Sequence, residues 1–591
     1  MLVSPRSIAF ASALSTFTLA ALAGGPKLHF VERTVEAGLT SQNALSTAQL
    51  YSPMTAGGVA ADFNNDGFDD IFHLGSMNPN SLFINNQDGT FTNQASEWGV
   101  AGPYHSFGAS TADFNNDGYL DLFVTAFGPG DSAPQPGKLK LYRNNGPDEH
   151  GNWSFTDIAE SAGVNHLTPG TNQKEGTGSS WGDYDLDGDL DLFVTAYNSI
   201  RAANRLFRND GPDETDTWRF TDVTAEAGVE EIGVSGFLPA FCDMNNDRYP
   251  ELIIVGDTGT TRYYTNNRDG TFTNDTNRLE DVQTANAMGI DIADVNHDGL
   301  LDFFLSNITF DSTNGPGNIL LIQQPDGSYK NMARISGCHD GHWGWGSLIN
   351  DFDHDGDKDI LETNGYFFDF TADPVTLYLN DGDGTSFTES AQACGINDIA
   401  QGRGLVRLDT ENDGDIDAMM FNWNQQNAYF QNNLITPKTT QPDTHWARIK
   451  LDTYARDSLA PQGIGAMVTL KTATREYILP MFANPSHCGS SSVETHIGLA
   501  SESMIESIQV AWPDGTFNTY TNLQSDQIFT FRAPAFAADY NNNDTVEFDD
   551  VMTFINALAS RNLSADHNGD SRINFFDIVD YLHDYRQALM P

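Results

Sequence analysis

The sequence predicts a mainly all-β protein: a seven-bladed β-propeller, then a small β-sandwich or barrel domain, then a small α-helical C-terminal module. Three observations carry this prediction. An acidic nine-residue phrase recurs seven times, each time followed by apolar strands. Residues 445–532 alternate apolar and polar side chains. Beyond them, two acidic loops are each followed by an apolar run of helical period.

The repeated phrase has the form D-x-[DN]-x-D-G-x-x-D and first occurs within ADFNNDGFDDIF at residues 61–72. An apolar strand follows each copy, then a second strand that often ends in Asn, then a strand such as GTFT or SFTD. Three to four strands per repeat is the size of one propeller blade, so we expect seven blades within residues 27–433. The copies begin at Asp62, Asp113, Asp183, Asp243, Asp294, Asp351 and Asp409.

The order of the repeats predicts a ring that is closed by the two ends of the segment. A tail of the form F-T…A-G-V follows the first three copies, weaker versions follow the next three, and none follows the seventh. An orphan tail, FVERTVEAGL at residues 30–39, stands before the first repeat. If this tail completes the seventh blade, no sheet edge is left open to promote aggregation.

Each phrase predicts a calcium site, because side-chain oxygens at positions 1, 3, 5 and 9 and the carbonyl at position 7 can surround one hard cation. Gly at position 6 permits the sharp turn. Oxygen ligands without His or Cys favour Ca²⁺ or Mg²⁺ over zinc, and flexible loops favour Ca²⁺. Asn-Asp-Gly is also a plain turn signal, but seven copies in register favour metal sites. The predicted ligands are Asp62, Asn64, Asp66, Asp70, Asp113, Asn115, Asp117, Asp121, Asp183, Asp185, Asp187, Asp191, Asp243, Asn245, Asp247, Glu251, Asp294, Asn296, Asp298, Asp302, Asp351, Asp353, Asp355, Asp359, Asp409, Glu411, Asp413 and Asp417.

The seven copies are not equivalent. The third and sixth carry only carboxylates at the four side-chain positions, so we expect them to bind calcium most tightly. The fourth has Arg248 where Gly belongs and Glu251 at position 9, which leaves its occupancy open. The seventh has Glu411 at position 3, which is longer than Asp but workable.

The composition excludes some functions and indicates a location. A net charge of −51 excludes a nucleic-acid binder, since phosphate is repelled. Residues 1–23 have the pattern of a signal peptide, with Arg6 before an apolar stretch, so we expect a secreted, extracellular protein without a membrane span. Such a protein is soluble unless another module tethers it to the cell surface. Of the four cysteines, Cys338 and Cys394 either form a disulfide or are buried free thiols.

The seven repeats resemble the FG-GAP/VCBS family of calcium-bearing propellers, which is related to integrin alpha-subunit heads. Residues 434–444 read as a linker. After it, GIGAMV (463–468), THIGLA (495–500) and WPDG (512–515), together with His445 and Trp446, resemble the ASPIC/UnbV domain, as in cartilage acidic protein and its bacterial relatives. The resemblance implies an extracellular accessory module, in which we expect His445 and Trp446 to pack at the start of a strand.

The C-terminal segment, residues 536–591, resembles a dockerin, a paired EF-hand-like module. This resemblance implies calcium-dependent folding and docking to a cohesin-like receptor, and brings the calcium sites to as many as nine. Phe548, Phe575 and Phe576 either contact the partner or pack between the two units. The ligands that the resemblance implies are Asp539, Asn541, Asn543, Glu547, Asp550, Asp566, Asn568, Asp570, Asn574 and Asp577.

The sequence contains no GxSxG, HExxH, CxxC or phosphate-loop motif, so we expect no enzyme. The expected function is a secreted recognition or scaffold protein for a carbohydrate or protein ligand. GHWGWG (341–346) and NGYFFDF (364–370) supply aromatic side chains either for ligand contact or for the core. The alternative is a calcium-dependent polysaccharide lyase, in which Lys174, His105 or His342 near bound calcium is the base.

Overall fold

The structure is a computed structural model, and it describes most of the chain between residues 28 and 534 together with parts of the C-terminal segment. The described residues are 28–43, 52–102, 105–129, 138–166, 173–197, 201, 203–215, 217–309, 317–366, 372–382, 384–434, 444–454, 456, 458–534, 540, 548–560, 578–579, 581–582 and 585–586. The predicted signal peptide and nearly all of the predicted linker lie outside these ranges.

The repeats form a series of small antiparallel sheets, and each acidic phrase joins the first strand of a sheet to the second. The first two strands of each sheet are buried on both faces nearly throughout, whereas the outermost strands, such as Phe91–Asn93, are mostly exposed. The first six sheets are, in order, Gly58–Ala61, Asp70–His73, Ser81–Asn85 and Phe91–Asn93; Ser106–Ala112, Asp121–Pro129, Lys140–Pro147 and Trp153–Asp157, with Gln173–Glu175 added; Ser179–Gly182, Asp191–Val194, Arg205–Pro212 and Trp218–Asp222; Gly236–Cys242, Glu251–Gly256, Arg262–Asn266 and Phe272–Asn274; Ile290–Ala293, Asp302–Leu305, Ile319–Gln323 and Tyr329–Asn331; and Gly344–Asn350, Asp359–Asn364, Thr376–Asn380 and Phe387–Glu389.

The seventh sheet takes its outer strand from the beginning of the described chain. Gly402–Leu408, Asp417–Asn422 and Ala428–Asn432 are joined by Phe30–Glu32, which pairs antiparallel with the last of them. Phe30 lies opposite Asn432, and Val31 lies opposite Gln431. The prediction that residues 30–39 complete the seventh repeat is confirmed by this pairing.

One amide side chain at the end of each third strand links its sheet to the preceding one. Asn144 of the second sheet donates to the Phe63 carbonyl oxygen of the first at 3.0 Å. Asn85 of the first sheet donates to the Thr410 carbonyl of the seventh, also at 3.0 Å. The described sheets are thus linked in a cyclic order. The other links run from Asn209 to Phe114, Asn266 to Tyr184, Gln323 to Met244, Asn380 to Val295 and Asn432 to Phe352.

The β-domain consists of two sheets that pack face to face. One contains Thr495–Ala500, His445–Asp452 and Gln527–Arg532, and the other contains Glu476–Pro480, Met467–Lys471, Met504–Ala511 and Phe517–Gln524. Its apolar side chains are continuous with the core between the second and third repeats. Trp446 is buried against Gly414, and His445 contacts Asp526 at 2.7 Å, so both pack at the strand start as expected.

A hairpin of the β-domain packs among the repeats. Its strands, Pro485–Ser486 and Gly489–Ser490, extend the first sheet, where Ser490 pairs in parallel with Val59. His487 at its tip is fully buried and its ring nitrogens lie near the carbonyl oxygens of Met54 (3.0 Å) and Met288 (3.4 Å). The β-domain is therefore not structurally independent of the repeats, because it shares hydrogen bonds and a hydrophobic core with them.

Helices are few in the described part of the chain. The α-helices are Ala159–Ala162, Ala333–Ser336 and Phe548–Ser560, and the 3₁₀ turns are Ser52–Met54, Thr276–Arg278, Val282–Thr284 and Pro461–Gly463. None of these described helices is long and apolar enough to cross a membrane. All four cysteines, Cys242, Cys338, Cys394 and Cys488, are buried free thiols. Of the two alternatives for Cys338 and Cys394, the structure therefore has the free thiols and not the disulfide.

Candidate metal centres

The acidic loops share one hydrogen-bonding scheme. In the first loop, the Asp62 carboxylate accepts the backbone N–H groups of Asp66 (3.0 Å) and Gly67 (2.8 Å). Asp70 accepts the N–H of Phe63 at 3.1 Å and that of Asn85, on the third strand, at 2.8 Å. Asp at position 9 accepts the equivalent pair in the other five loops that have it. Backbone donors thus fix the carboxylates, whose remaining lone pairs can still face a cation.

The loop backbone is left-handed at two positions. At position 6, φ lies between 80° and 97°, a left-handed conformation that Gly adopts without strain. Arg248, which replaces Gly in the fourth loop, has the same conformation at φ 80°. Position 4 is also left-handed, with φ between 53° and 59°, which the sequence reasoning missed. Its signal was present, because Asn, which tolerates this conformation, stands there in four copies. The position 4 residues are Asn65, Asn116, Leu186, Asn246, His297, His354 and Asn412.

The third and sixth loops bring three carboxylates together each. Ligand oxygens of Asp183, Asp185 and Asp187 lie within 4.8 Å of one another, and those of Asp351, Asp353 and Asp355 do the same. One oxygen of Asp185 and one of Asp351 are buried and accept no hydrogen bond from the described residues. Such clustered carboxylates fit a hard divalent cation.

Raised pKa values in these two loops show that the ionised carboxylates are destabilised when no cation is bound. Burial, with the Asp187 charge second, raises the pKa of Asp185 to about 6. Burial and the neighbouring Asp353 raise the pKa of Asp355 to about 7. The Asp183 pKa is raised well above its usual value by burial and by Asp187. A bound cation would stabilise the ionised forms of all three groups.

The first, second and fifth loops carry Asn at position 3. Its amide nitrogen donates to the Asp at position 5, and its carbonyl oxygen accepts the backbone N–H of the same residue. In the first loop these are Asn64 and Asp66, with distances of 2.9 and 3.1 Å. Asn115 with Asp117 and Asn296 with Asp298 repeat the arrangement. These loops hold fewer charges than the third and sixth loops, but they also have a side-chain oxygen at each of the four positions.

The fourth loop differs in its contacts as well as its sequence. Asn245 donates its amide to Glu251 at 2.7 Å, so the position 3 and position 9 side chains bond each other. Arg268 donates to Asp247 at 2.8 Å and neutralises the position 5 carboxylate. Asp243 still accepts backbone N–H groups in the standard way. Three of the four expected side-chain positions, 3, 5 and 9, therefore bond protein side chains.

The β-domain lies on the loop side of the repeats and contacts three position 1 carboxylates. The Tyr454 hydroxyl donates to Asp113 at 2.8 Å, and the backbone N–H of Gly498 donates to Asp351 at 2.9 Å. Arg448 donates to Asp409 at 2.7 Å. The sequence did not reveal these contacts, because residues 39, 147 and 341 positions apart make them.

The predicted C-terminal loops fall mostly outside the described residues. This applies to Asp539, Asn541, Asn543, Glu547, Asp566, Asn568, Asp570, Asn574, Asp577, Phe575 and Phe576. Asp550 is described and is buried within Phe548–Ser560. Phe548 is 68% exposed, so among the described residues it is not a packing residue.

The residues proposed for ligand contact lie at the other end of the strands. Trp343 precedes the strand Gly344–Asn350 and Tyr366 follows Asp359–Asn364, while the sixth loop joins the opposite ends of these strands. The two rings are half-buried and meet edge to face, 4.9 Å apart. Trp345, from the same GHWGWG segment, is fully buried beneath the Arg403 guanidinium, so it belongs to the core.

The residues suggested as lyase bases do not lie beside the acidic loops of their own sheets. His342 precedes Gly344–Asn350 and His105 precedes Ser106–Ala112, so about 20 Å of extended strand separates each from its loop. His342 lies 3.7 Å from Asp373, and burial lowers the pKa of His105. The backbone of Lys174 pairs with Gly128, and its side chain is not among those described.

Comparison with known proteins identifies two kinds of domain. Residues 62–124, 183–254 and 243–305 match the FG-GAP-like repeat, and residues 457–537 match the ASPIC and UnbV domain. The chain is similar to cartilage acidic protein 1 of Mus musculus, at 22% identity over 54% of this chain and 50% of that protein. The Homo sapiens protein is 23% identical over 54% and 48%, respectively. The chain thus matches about half the length of these relatives.

Two solved structures show distant likenesses. One is the exotype rhamnogalacturonan lyase YesX, with a TM-score of 0.33 and 12% identity over 64% of this chain and 72% of that one. The other is BBS1N in complex with ARL6DN, with a TM-score of 0.35 and 12% identity over 68% and 98%. Likenesses at this level carry no argument about activity.

Proposed function

We propose that this protein is a secreted, calcium-loaded recognition protein whose repeats form a closed seven-bladed propeller. The proposal rests above all on the clustered carboxylates of the third and sixth loops. Repulsion among three clustered carboxylates destabilises the fold, and a divalent cation removes it. The cyclic links between sheets and the outer strand Phe30–Glu32 support closure. Ca²⁺ supplies charge and coordination here, and no reaction step depends on it.

The ligand surface that we propose is the face opposite the loops. On the loop side, Tyr454, Gly498 and Arg448 of the β-domain already contact the propeller. On the opposite face, Trp343 and Tyr366 form a half-buried aromatic pair, with His342 46% exposed in its side chain beside Asp373. Aromatic rings flanked by hydrogen-bonding groups suit either a sugar ring or a protein side chain. The proposed partner is therefore an extracellular carbohydrate or protein.

A polysaccharide lyase remains the alternative function, and the geometry gives it little support. The proposed mechanism needs a base near bound calcium, whereas about 20 Å separates His105 and His342 from the loops of their own sheets. The C-terminal segment is proposed as a calcium-dependent docking module on its sequence alone.

One incubation tests the proposed function against the lyase. Purified protein is mixed with acidic and neutral polysaccharides in millimolar Ca²⁺, and both co-sedimentation and release of soluble products are scored. Retention without products, lost in Trp343→Ala but kept in the exposed-site control Ile335→Ala, supports carbohydrate recognition. Products with unsaturated ends support the lyase and overturn the proposal. If neither retention nor product release is observed, a protein partner becomes the proposed ligand.

A further inference from the structure

In the seventh acidic loop, an arginine side chain bonds the carboxylate at position 1. Arg448, on the β-domain strand His445–Asp452, is buried and directs its guanidinium at this loop. One nitrogen lies 2.7 Å from Asp409 at position 1 and 2.9 Å from the Asn412 side-chain oxygen at position 4. Its other nitrogens bond Glu494 at 2.8 to 3.1 Å.

The position 3 side chain of this loop has protein partners. Glu411 accepts the Thr410 hydroxyl at 2.6 Å with one oxygen and the Gln431 amide with the other. In the third loop, by contrast, one oxygen of Asp185 at position 3 is buried and accepts no hydrogen bond from the described residues.

The position 9 carboxylate also has additional donors. One Asp417 oxygen accepts the Tyr429 hydroxyl at 2.9 Å and lies 2.9 Å from the Thr410 hydroxyl, besides accepting the Thr410 backbone N–H at 3.2 Å. In the first loop, the equivalent oxygen of Asp70 accepts the backbone N–H of Phe63, and Phe63 carries no hydroxyl. The side chains at positions 1, 3 and 9 of the seventh loop thus have protein donors of their own.

We propose that Arg448 of the β-domain takes the place of the calcium ion in the seventh loop, which stays free of metal and anchors the β-domain on the repeats. A guanidinium supplies positive charge and directed donors to a buried carboxylate, and unlike an ion it cannot dissociate. On its other side, Arg448 bonds Glu494, which also lies 3.5 Å from the Lys450 ammonium, so two cations face two carboxylates. The inference rests on the proposed calcium function of the other loops, and it departs from the sequence-based expectation of an ion here.

The test compares calcium counts after matched substitutions at position 3. Bound calcium per chain is measured by elemental analysis, at a free concentration that just saturates the unmodified protein. Glu411→Ala should leave the count unchanged, and Asp185→Ala in the third loop should lower it by one ion. Loss of one ion in Glu411→Ala overturns the inference. An unchanged count in Asp185→Ala, or an unmodified chain that carries no calcium, instead overturns the proposed calcium function.

A second measurement follows thermal unfolding of Arg448→Met with calcium and with EDTA. Because the guanidinium is part of the chain, its loss should lower the melting temperature by at least about 5 °C in both conditions. Asp185→Ala should lower it only when calcium is present. Arg475→Met is the matched control, since Arg475 also joins the β-domain to a loop but bonds Asp357, whose side chain is not a predicted ligand. An Arg448→Met effect that disappears in EDTA, or that Arg475→Met equals, contradicts the inference.

Discussion

The Asn85 side-chain amide of the first sheet donates to the Thr410 carbonyl oxygen of the seventh at 3.0 Å. An equivalent bond joins each of the remaining six sheets to the sheet before it. The Asn85 contact therefore links the first described sheet to the last. Asn85 is buried, and its side-chain oxygen accepts the backbone N–H of Gln87 at 2.8 Å. Removing the side chain leaves the Thr410 carbonyl and the Gln87 N–H without these partners.

Asn85→Ala should therefore lower the free energy of unfolding by about 2 kcal/mol, as expected for loss of a buried hydrogen-bonding group. The neighbouring Asn86 is exposed and bonds Thr90 within its own turn, so Asn86→Ala should cost less than about 0.5 kcal/mol. Urea unfolding curves compare the two. Equal effects would show that the link between sheets does not contribute to stability.

Deleting residues 28–40 should remove the folded state of the repeats. The deletion exposes the edge of Ala428–Asn432 and removes Phe30, which is buried against Phe352 at a ring distance of 5.9 Å. We expect the deleted chain to aggregate or to melt at a much lower temperature, measured by light scattering and circular dichroism. A truncated chain that melts like the full one would remove the argument for closure.

The metal-free protein should become less stable as pH rises from 6.5 to 8. Burial raises the pKa values of Asp185 to about 6 and Asp355 to about 7, and that of Asp183 well above its usual value. The folded state therefore binds more protons than the unfolded state, and stability falls as these groups ionise. Buried histidines such as His354, with a pKa lowered to about 4, act in the opposite direction only below about pH 6.5.

Melting temperatures in EDTA at pH 6.5 and pH 8 check this prediction. Saturating calcium should flatten the profile, because the bound ion stabilises the ionised carboxylates. A metal-free protein that is more stable at pH 8 would contradict the burial of these charges.

The four cysteines should not react with a thiol reagent while the protein is folded. All four are buried, and burial raises the pKa values of Cys338 and Cys488 to about 12. Reaction at pH 8 should be absent in the native state and should reach four thiols per chain in denaturant without reductant. A count of two in denaturant would indicate a disulfide, such as the one between Cys338 and Cys394 that the sequence left open.

Much of the repeat architecture could be predicted from the sequence, because short local sequence patterns determine its strands and turns. The acidic phrase, the apolar strand after it and the orphan tail at residues 30–39 each specify a strand or turn within about fifty residues, and the described sheets follow them. The left-handed position 4 was overlooked, although Asn65 and Asn116 already carried the signal.

The relation between the domains could not be predicted, because its contacts join distant residues. Nothing local to Arg448 indicates that it reaches Asp409, and nothing near His487 indicates a hairpin that packs among the repeats. Likewise, the segment GHWGWG gave no sign that Trp345 is a core residue while Trp343 is half-buried at the surface. Tertiary packing decides these outcomes.

The central claim, that the acidic loops bind calcium, is tested most directly by thermal unfolding with saturating calcium and after chelation by EDTA. A ligand that binds only the folded state raises the melting temperature, and several sites add their effects. We predict that EDTA lowers the melting temperature by more than about 10 °C and that added calcium restores it. An unchanged melting temperature would contradict the claim.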